Sequence, residues 1–277
     1  MGFHPGHPVA GPMMEWWIVY LLMGLFVGFF AGLLGIGGGL ILVTLMVYLF
    51  TVQGFPEDRI LHIALGTSIA SIVFTSISSL LAHHKHGAVR WDIVRASIPG
   101  LIVGTLLGTL VADQLKSKYL AIFFVIFVYY SAVQMFLNAK PKPSRQLPGA
   151  LGLNLAAVVV GILSALVGVG GGVMTIPLMS LCNVPMRNAI GTSAALGLPI
   201  AIAGTVGFSA TGLDKDHLPP FSFGYVYLPA LIGIVFGTLV TVPWGAKMAH
   251  SMPVPRLKKI FAVILFILAT RMLWTLF

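Results

Sequence analysis

Two glycine clusters are the segments of this chain best suited to chemistry. They are Gly35-Ile36-Gly37-Gly38-Gly39 and Gly168-Val169-Gly170-Gly171-Gly172. Glycine reaches backbone conformations closed to other residues and lets a ligand approach the amides closely. An apolar run begins directly after each cluster. If each run is a helix, its first N–H groups have no partner within the helix. Its dipole makes that end partly positive. A glycine loop opening into a helix is therefore a candidate anion site. The bland alternative is a tight hairpin that lets helices pack closely.

Two further triplets repeat in the same order, Gly66-Thr67-Ser68 and Gly191-Thr192-Ser193. Their hydroxyls are candidate donors to an oxyanion, or small side chains for helix packing. Pro56 and Pro185 stand where each helix is expected to start. Ser68, Ser71, Thr75 and Ser79 follow helical spacing and form a polar stripe. His62 and Arg187 occupy matching positions, as cations to attract an anion or as snorkelling side chains. His83-His84-Lys85-His86 resembles a metal tract, but only Asp92 stands near it, so a loop at the lipid headgroups is the better reading. Gly24, Gly28 and Gly32, Gly100, Gly104 and Gly108, and Gly233 with Gly237 read as helix-packing rows. No nucleophile–base pair, phosphate-binding loop or zinc-protease motif is present. No catalytic residue, metal or cofactor is expected, and no apolar run carries a carboxylate at its middle.

The elements that hold these residues follow from composition. Of 277 residues, 58% are hydrophobic and 8% charged; an ordinary globular domain has roughly 25% charged. That excludes a cytosolic enzyme, a disordered chain and a disulfide scaffold, and makes a lipid bilayer the solvent. The net charge of +9 comes from Lys and Arg in short loops, which points first to membrane topology and second to attraction of an anionic substrate, rather than to nucleic-acid binding. Cys182 alone provides no internal disulfide. Residues 1–15 lack Lys and Arg, so the first apolar run is expected to be retained rather than cleaved as a signal peptide.

The chain is duplicated. Gly28–Thr44 (GFFAGLLGIGGGLILVT) matches Gly161–Pro177 (GILSALVGVGGGVMTIP) at an offset of 133. Ala64–Ser68 matches Ala189–Ser193 at 125, and Gly108–Val111 matches Gly237–Val240 at 129. Three matches in order indicate an N-terminal repeat over 1–138, a stiff basic linker over 139–148 and a C-terminal repeat over 149–277. With the glycine clusters as turns, each half has five segments. Eleven Lys and Arg then fall on one side and five on the other; counting each long run as one crossing splits them evenly. The positive-inside rule prefers the ten-segment count. Five is odd, so the second half is expected upside down, with both termini facing away from the cytosol. The segments after the glycine clusters, about 40–50 and 173–182, span about half the hydrocarbon. The expected fold is an all-α integral membrane protein of two inverted repeats with broken hairpins at the glycine clusters.

Paired glycine clusters, each followed by a Gly-Thr-Ser segment, resemble the TauE/SafE sulfite exporter family, also called the 4-toluene sulfonate uptake permease family. The resemblance runs from about Trp16 to Phe277. It implies a multi-pass carrier of a bacterial-type inner membrane, with sulfite or a related organosulfur anion as substrate. It points to Gly35, Gly37, Gly38, Gly39, Gly66, Thr67 and Ser68, and to Gly168, Gly170, Gly171, Gly172, Gly191, Thr192 and Ser193. His62 and Arg187 differ in type, so the resemblance assigns neither as the substrate-side cation. The expected mechanism is alternating access, with the lipid bilayer and a small anion as partners. An anion channel on the same scaffold is the alternative, and a membrane-embedded enzyme a more remote one.

Overall fold

The computed structural model describes residues 13–34, 38–137, 146–249 and 254–276. Gly35 and Gly37 of the first glycine cluster, and the basic stretch 138–145, lie outside them. The described residues form ten helices. The first half supplies α1 (Met13–Leu34), α2 (Gly39–Val52), α3 (Ile60–Lys85), α4 (Trp91–Gln114) and α5 (Ser117–Phe136). The second supplies α6 (Ala150–Val167), α7 (Gly172–Leu181), α8 (Met186–Gly212), α9 (Leu228–Ala249) and α10 (Val254–Leu276). A two-residue hairpin, β1 (Ser222–Phe223) with β2 (Val226–Tyr227), joins α8 to α9. Six of the helices are long and apolar enough to cross a membrane. The outer surface carries large apolar side chains such as Leu107, Leu110, Ile126, Leu155 and Phe236. This is an all-α multi-pass membrane protein.

Each long apolar run breaks at its glycine cluster, so the ten-segment count describes the helices. The two shorter limbs are unequal. α2 has 14 residues and α7 has 10, about 21 and 15 Å of helix; the sequence suggested ten or so for both. Pro185 is the N-cap of α8 as its position predicts. Pro56 instead opens a turn whose carbonyl accepts from Arg59 N and Ile60 N, and α3 starts four residues later.

Small-residue rows set the packing directions. A Cβ at Gly100, Gly104 or Gly108 would strike Asn154, Val158 or Ile162 in turn, so α4 and α6 run parallel and in register. Gly24 and Gly28 meet Ile234 and Thr238 in the same way, so α1 and α9 also run parallel. In contrast, Gly66 meets Phe208, Gly204 meets Ile69 and Gly197 meets Ser76, so α3 and α8 run antiparallel. α5 packs on α10, α2 on α3, and α7 on α8. Exchanging each helix of one half for its counterpart in the other leaves this set of pairings unchanged. Close backbone approach replaces the hydrophobic effect as the source of attraction between helices in lipid.

Candidate functional site

A cavity of about 910 Å³ opens where the C-terminal half of α3, the N-terminal half of α8, α1, the end of α9 and the second glycine cluster converge. Gly170 and Gly172 line it where α7 begins. Gly168 (φ 69°) and Gly171 (φ 77°) both take the left-handed conformation that a side chain resists. Gly168 ends α6 and Gly171 caps α7, so the chain reverses within three residues and presents the α7 N-terminus beside the cavity. Thr175 N and Met174 N are tied to Gly171 O. The earlier amides of α7 have no acceptor within the helix.

Four basic or titratable side chains stand on the cavity wall: Arg187, Lys247, His83 and His86. Thr75, Ser76, Ser78, Ser79 and Ser193 supply hydroxyls. No carboxylate is among the described lining residues. Arg187 Nη2 donates to the His86 carbonyl, so the guanidinium is anchored at the α3–α4 turn while its remaining donors stay available. Ser193 Oγ lies 2.7 Å from Thr175 Oγ1, linking α8 to α7 behind the glycine turn. Positive charge, hydroxyls and a helix N-terminus without a competing carboxylate form an environment suited to an anion.

The residues singled out in the sequence divide between this wall and the scaffold. Gly170, Gly172, Ser193 and Arg187 line the cavity. Gly38 and Gly39 are buried, and Gly39 lies against Gly168 and Val169, so the two glycine clusters touch. Ser68 Oγ donates to Gly168 O at 2.9 Å. The remaining triplet residues hold connections together. Thr67 Oγ1 accepts from Tyr227 N at 3.0 Å, and Thr192 Oγ1 accepts from Arg90 N at 3.0 Å. Gly66 makes room for the Tyr225 carbonyl and Gly191 for that of Ala88. The triplets thus fasten equivalent connections in the two halves, α8–α9 and α3–α4.

The polar stripe on α3 divides as well. Ser71 is buried and bonded to Ser68 O, whereas Thr75 and Ser79 reach the cavity. His83 and His86, read as part of a headgroup loop, sit in the last turn and C-cap of α3 and face the cavity. Lys247 and Ser76 carried no sequence signal. Gly32 lines the cavity. No cluster of three metal-ligating side chains occurs among the described residues.

His62 lies at the other end of α3. It is buried, its Nε2 donates to Ala112 O at 2.9 Å, and its ring stacks on Tyr225 at 5.2 Å. There Asp113 accepts from Lys215 Nζ (2.9 Å) and Tyr225 OH (2.8 Å), and Arg59 donates to the same phenol oxygen at 2.9 Å. Burial and the adjacent Asp113 carboxylate push the Tyr225 phenol up, so it stays a donor.

Ten packed helices with a cation-lined hollow make this a polytopic membrane protein. The sulfite exporter TauE/SafE family matches residues 20–272. A probable membrane transporter protein of Haemophilus influenzae is 35% identical over 261 residues, covering 94% of this chain and 99% of that protein. The probable membrane transporter protein MJ0441 of Methanocaldococcus jannaschii is 26% identical, covering 91% and 94%. YunE of Bacillus subtilis, a probable membrane transporter protein, is 25% identical, covering 93% and 97%. No solved structure matches the chain. The chain belongs to the TauE/SafE family of membrane transporters.

Proposed function

We propose that this protein carries a small organosulfur anion, sulfite or a sulfonate, across the bacterial cell membrane by alternating access, with export as the favoured direction. The observation that carries the reading is the cavity wall. Arg187, Lys247, His83 and His86 face the α7 N-terminus across a hollow with no carboxylate among its described lining residues. At about 910 Å³ it exceeds the room one bare oxyanion needs. It suits a hydrated anion or a sulfonate with an organic tail.

Its wall carries Arg187 and Lys247, from the more basic set of loops, so the cavity faces the cytosol in this reading. The halves are inverted repeats. In support, α3 and α8 carry the same triplet and run antiparallel, while α1 runs with α9 and α4 with α6. Rocking one set of helices against the other would move access from one face to the other. A monovalent anion leaving a cell at −100 mV gains about 2.3 kcal/mol, so export needs no co-ion.

The test is counterflow in proteoliposomes with labelled sulfite and methanesulfonate. A carrier gives saturable exchange stimulated by unlabelled anion on the far side. Currents without saturation in planar bilayers would replace the carrier by a channel. Transport of neither anion would remove the substrate assignment.

A further inference from the structure

The polar cluster opposite the cavity matches the cavity wall at three positions. By the 125 offset His62 corresponds to Arg187, and by the 129 offset Asp113 corresponds to Val242. Tyr225 corresponds to Ala88, because Gly66 packs on the Tyr225 carbonyl as Gly191 packs on that of Ala88. The neighbouring pair confirms the register: Thr67 holds Tyr227 N as Thr192 holds Arg90 N. Arg187, Val242 and Ala88 all line the open cavity. Their three counterparts are packed together at the far end of α3.

The chemistry of the closed cluster completes the comparison. Lys215 and the Tyr225 hydroxyl donate to the Asp113 carboxylate, and Arg59 reaches it through the phenol while its Nε pairs with the exposed Asp58 at 3.2 Å. The Asp113 side chain is only 10% exposed. His62 lies beside it with Nε2 committed to Ala112 O and Nδ1 buried without a hydrogen-bond partner. The open cavity presents cations and holds no carboxylate of its own among the described residues; the closed cluster presents cations and holds a tethered one.

We propose that Arg59, His62, Lys215 and Tyr225 form a second anion site on the face opposite the cavity, occupied here by the Asp113 carboxylate, which the transported anion displaces when that face opens. This rests on the alternating-access reading. In the closed state Asp113 neutralises Lys215 and latches the α8–α9 connection to α4. In the open state the substrate takes over those donors, so Lys215 is not left unpaired in a partly buried place. Opening is then favoured when an anion is present, which ties the conformational change to a loaded site.

The test uses the full-length protein with Cys182→Ser and a reporter, Ala112→Cys, at a buried position beside the latch. A bulky cationic thiol reagent probes the reporter in detergent, with methanesulfonate as the anion. Slow labelling is expected in this parent and faster labelling as methanesulfonate is added. Asp113→Asn should raise the anion-free rate by about tenfold or more, as expected when a partly buried ion pair loses one partner. It should also abolish the response to methanesulfonate. Tyr225→Phe, which removes one donor and keeps the ring, should give a smaller rise and covers the case in which Asp113→Asn does not fold. Asp92→Asn, in an exposed pair with Arg90 at the other end of α4, should change nothing. Parent-like rates in both latch variants overturn the latch. A parent rate indifferent to methanesulfonate overturns the displacement. Failure of the transport reading shows separately, as absent counterflow by the wild type whatever the labelling.

Discussion

Gly39 packs directly on Gly168: a Cβ added at Gly39 would stand 2.7 Å from the Gly168 carbonyl oxygen. The two glycine clusters, one from each half, therefore meet here, and Ser68 donates to that same carbonyl. The start of α2 is fixed by the end of α6, so a distortion at one cluster passes to the other through backbone.

That contact makes the glycines unequal in what they do. Gly171→Ala is expected to lower stability by about 1–2 kcal/mol, because φ is 77° and a Cβ would meet Ile200 at 2.7 Å. Gly170→Ala has milder contacts, with Ile72 at 3.1 Å, and it faces the cavity. It should keep the melting temperature near wild type and lower transport. Thermal unfolding in detergent beside counterflow separates the two; equal loss of stability in both variants would count against this assignment.

Arg187→Gln should weaken transport by about tenfold or more, mainly through KM, since the lost charge acts on a bound anion. Arg187→Lys should recover part of it. The His86 carbonyl that Arg187 now satisfies is exposed and can take water, so folding should survive both changes. A kcat-only effect would place Arg187 in the conformational step instead.

Thr67→Val and Thr192→Val should each destabilise the protein by about 1–3 kcal/mol, by leaving Tyr227 N or Arg90 N without its acceptor. Transport per folded molecule should stay near wild type. Ser193 differs from these, because it reaches the cavity; Ser193→Ala should raise KM with little change in melting. A transport defect in the two threonine variants at unchanged stability would return the triplets to the substrate path.

Collapsing the membrane potential at constant pH should slow anion efflux from loaded proteoliposomes. The potential supplies about 2.3 kcal/mol per charge at 100 mV. Undiminished efflux would point to a coupling ion.

The sequence carried the scaffold further than the site. Ten helical segments, with α1 ending at Leu34, α2 starting at Gly39 and the turn at Gly168–Gly171, were readable, because each is a local pattern of residue types. The rows at Gly24 and Gly100 were also readable, since helix seams in lipid need small residues at every turn. The cavity was only partly legible. Its wall joins Lys247 of α9, His83 of α3 and Gly170 of the second cluster, which are far apart in the chain and meet only after packing. The triplets looked like ligands because a buried hydroxyl is also what a backbone amide needs; only the positions of Tyr227 N and Arg90 N separate the two roles. α2 runs to Val52, past Phe50 where its apolar limb reads as ending, whereas α7 stops at Leu181, just before Asn183 and Pro185, as its sequence indicates.

The seams described for α1 with α9 and α4 with α6 join the first half of the chain to the second. During synthesis α1 and α4 thus enter the bilayer with their glycine faces turned to lipid, and α9 is the second-last helix to arrive. The early half has no mate for its narrowest surfaces until the late half is made. The narrow face of α1 therefore depends on α9 for its cover, so the first half of the chain is not a self-sufficient packing unit.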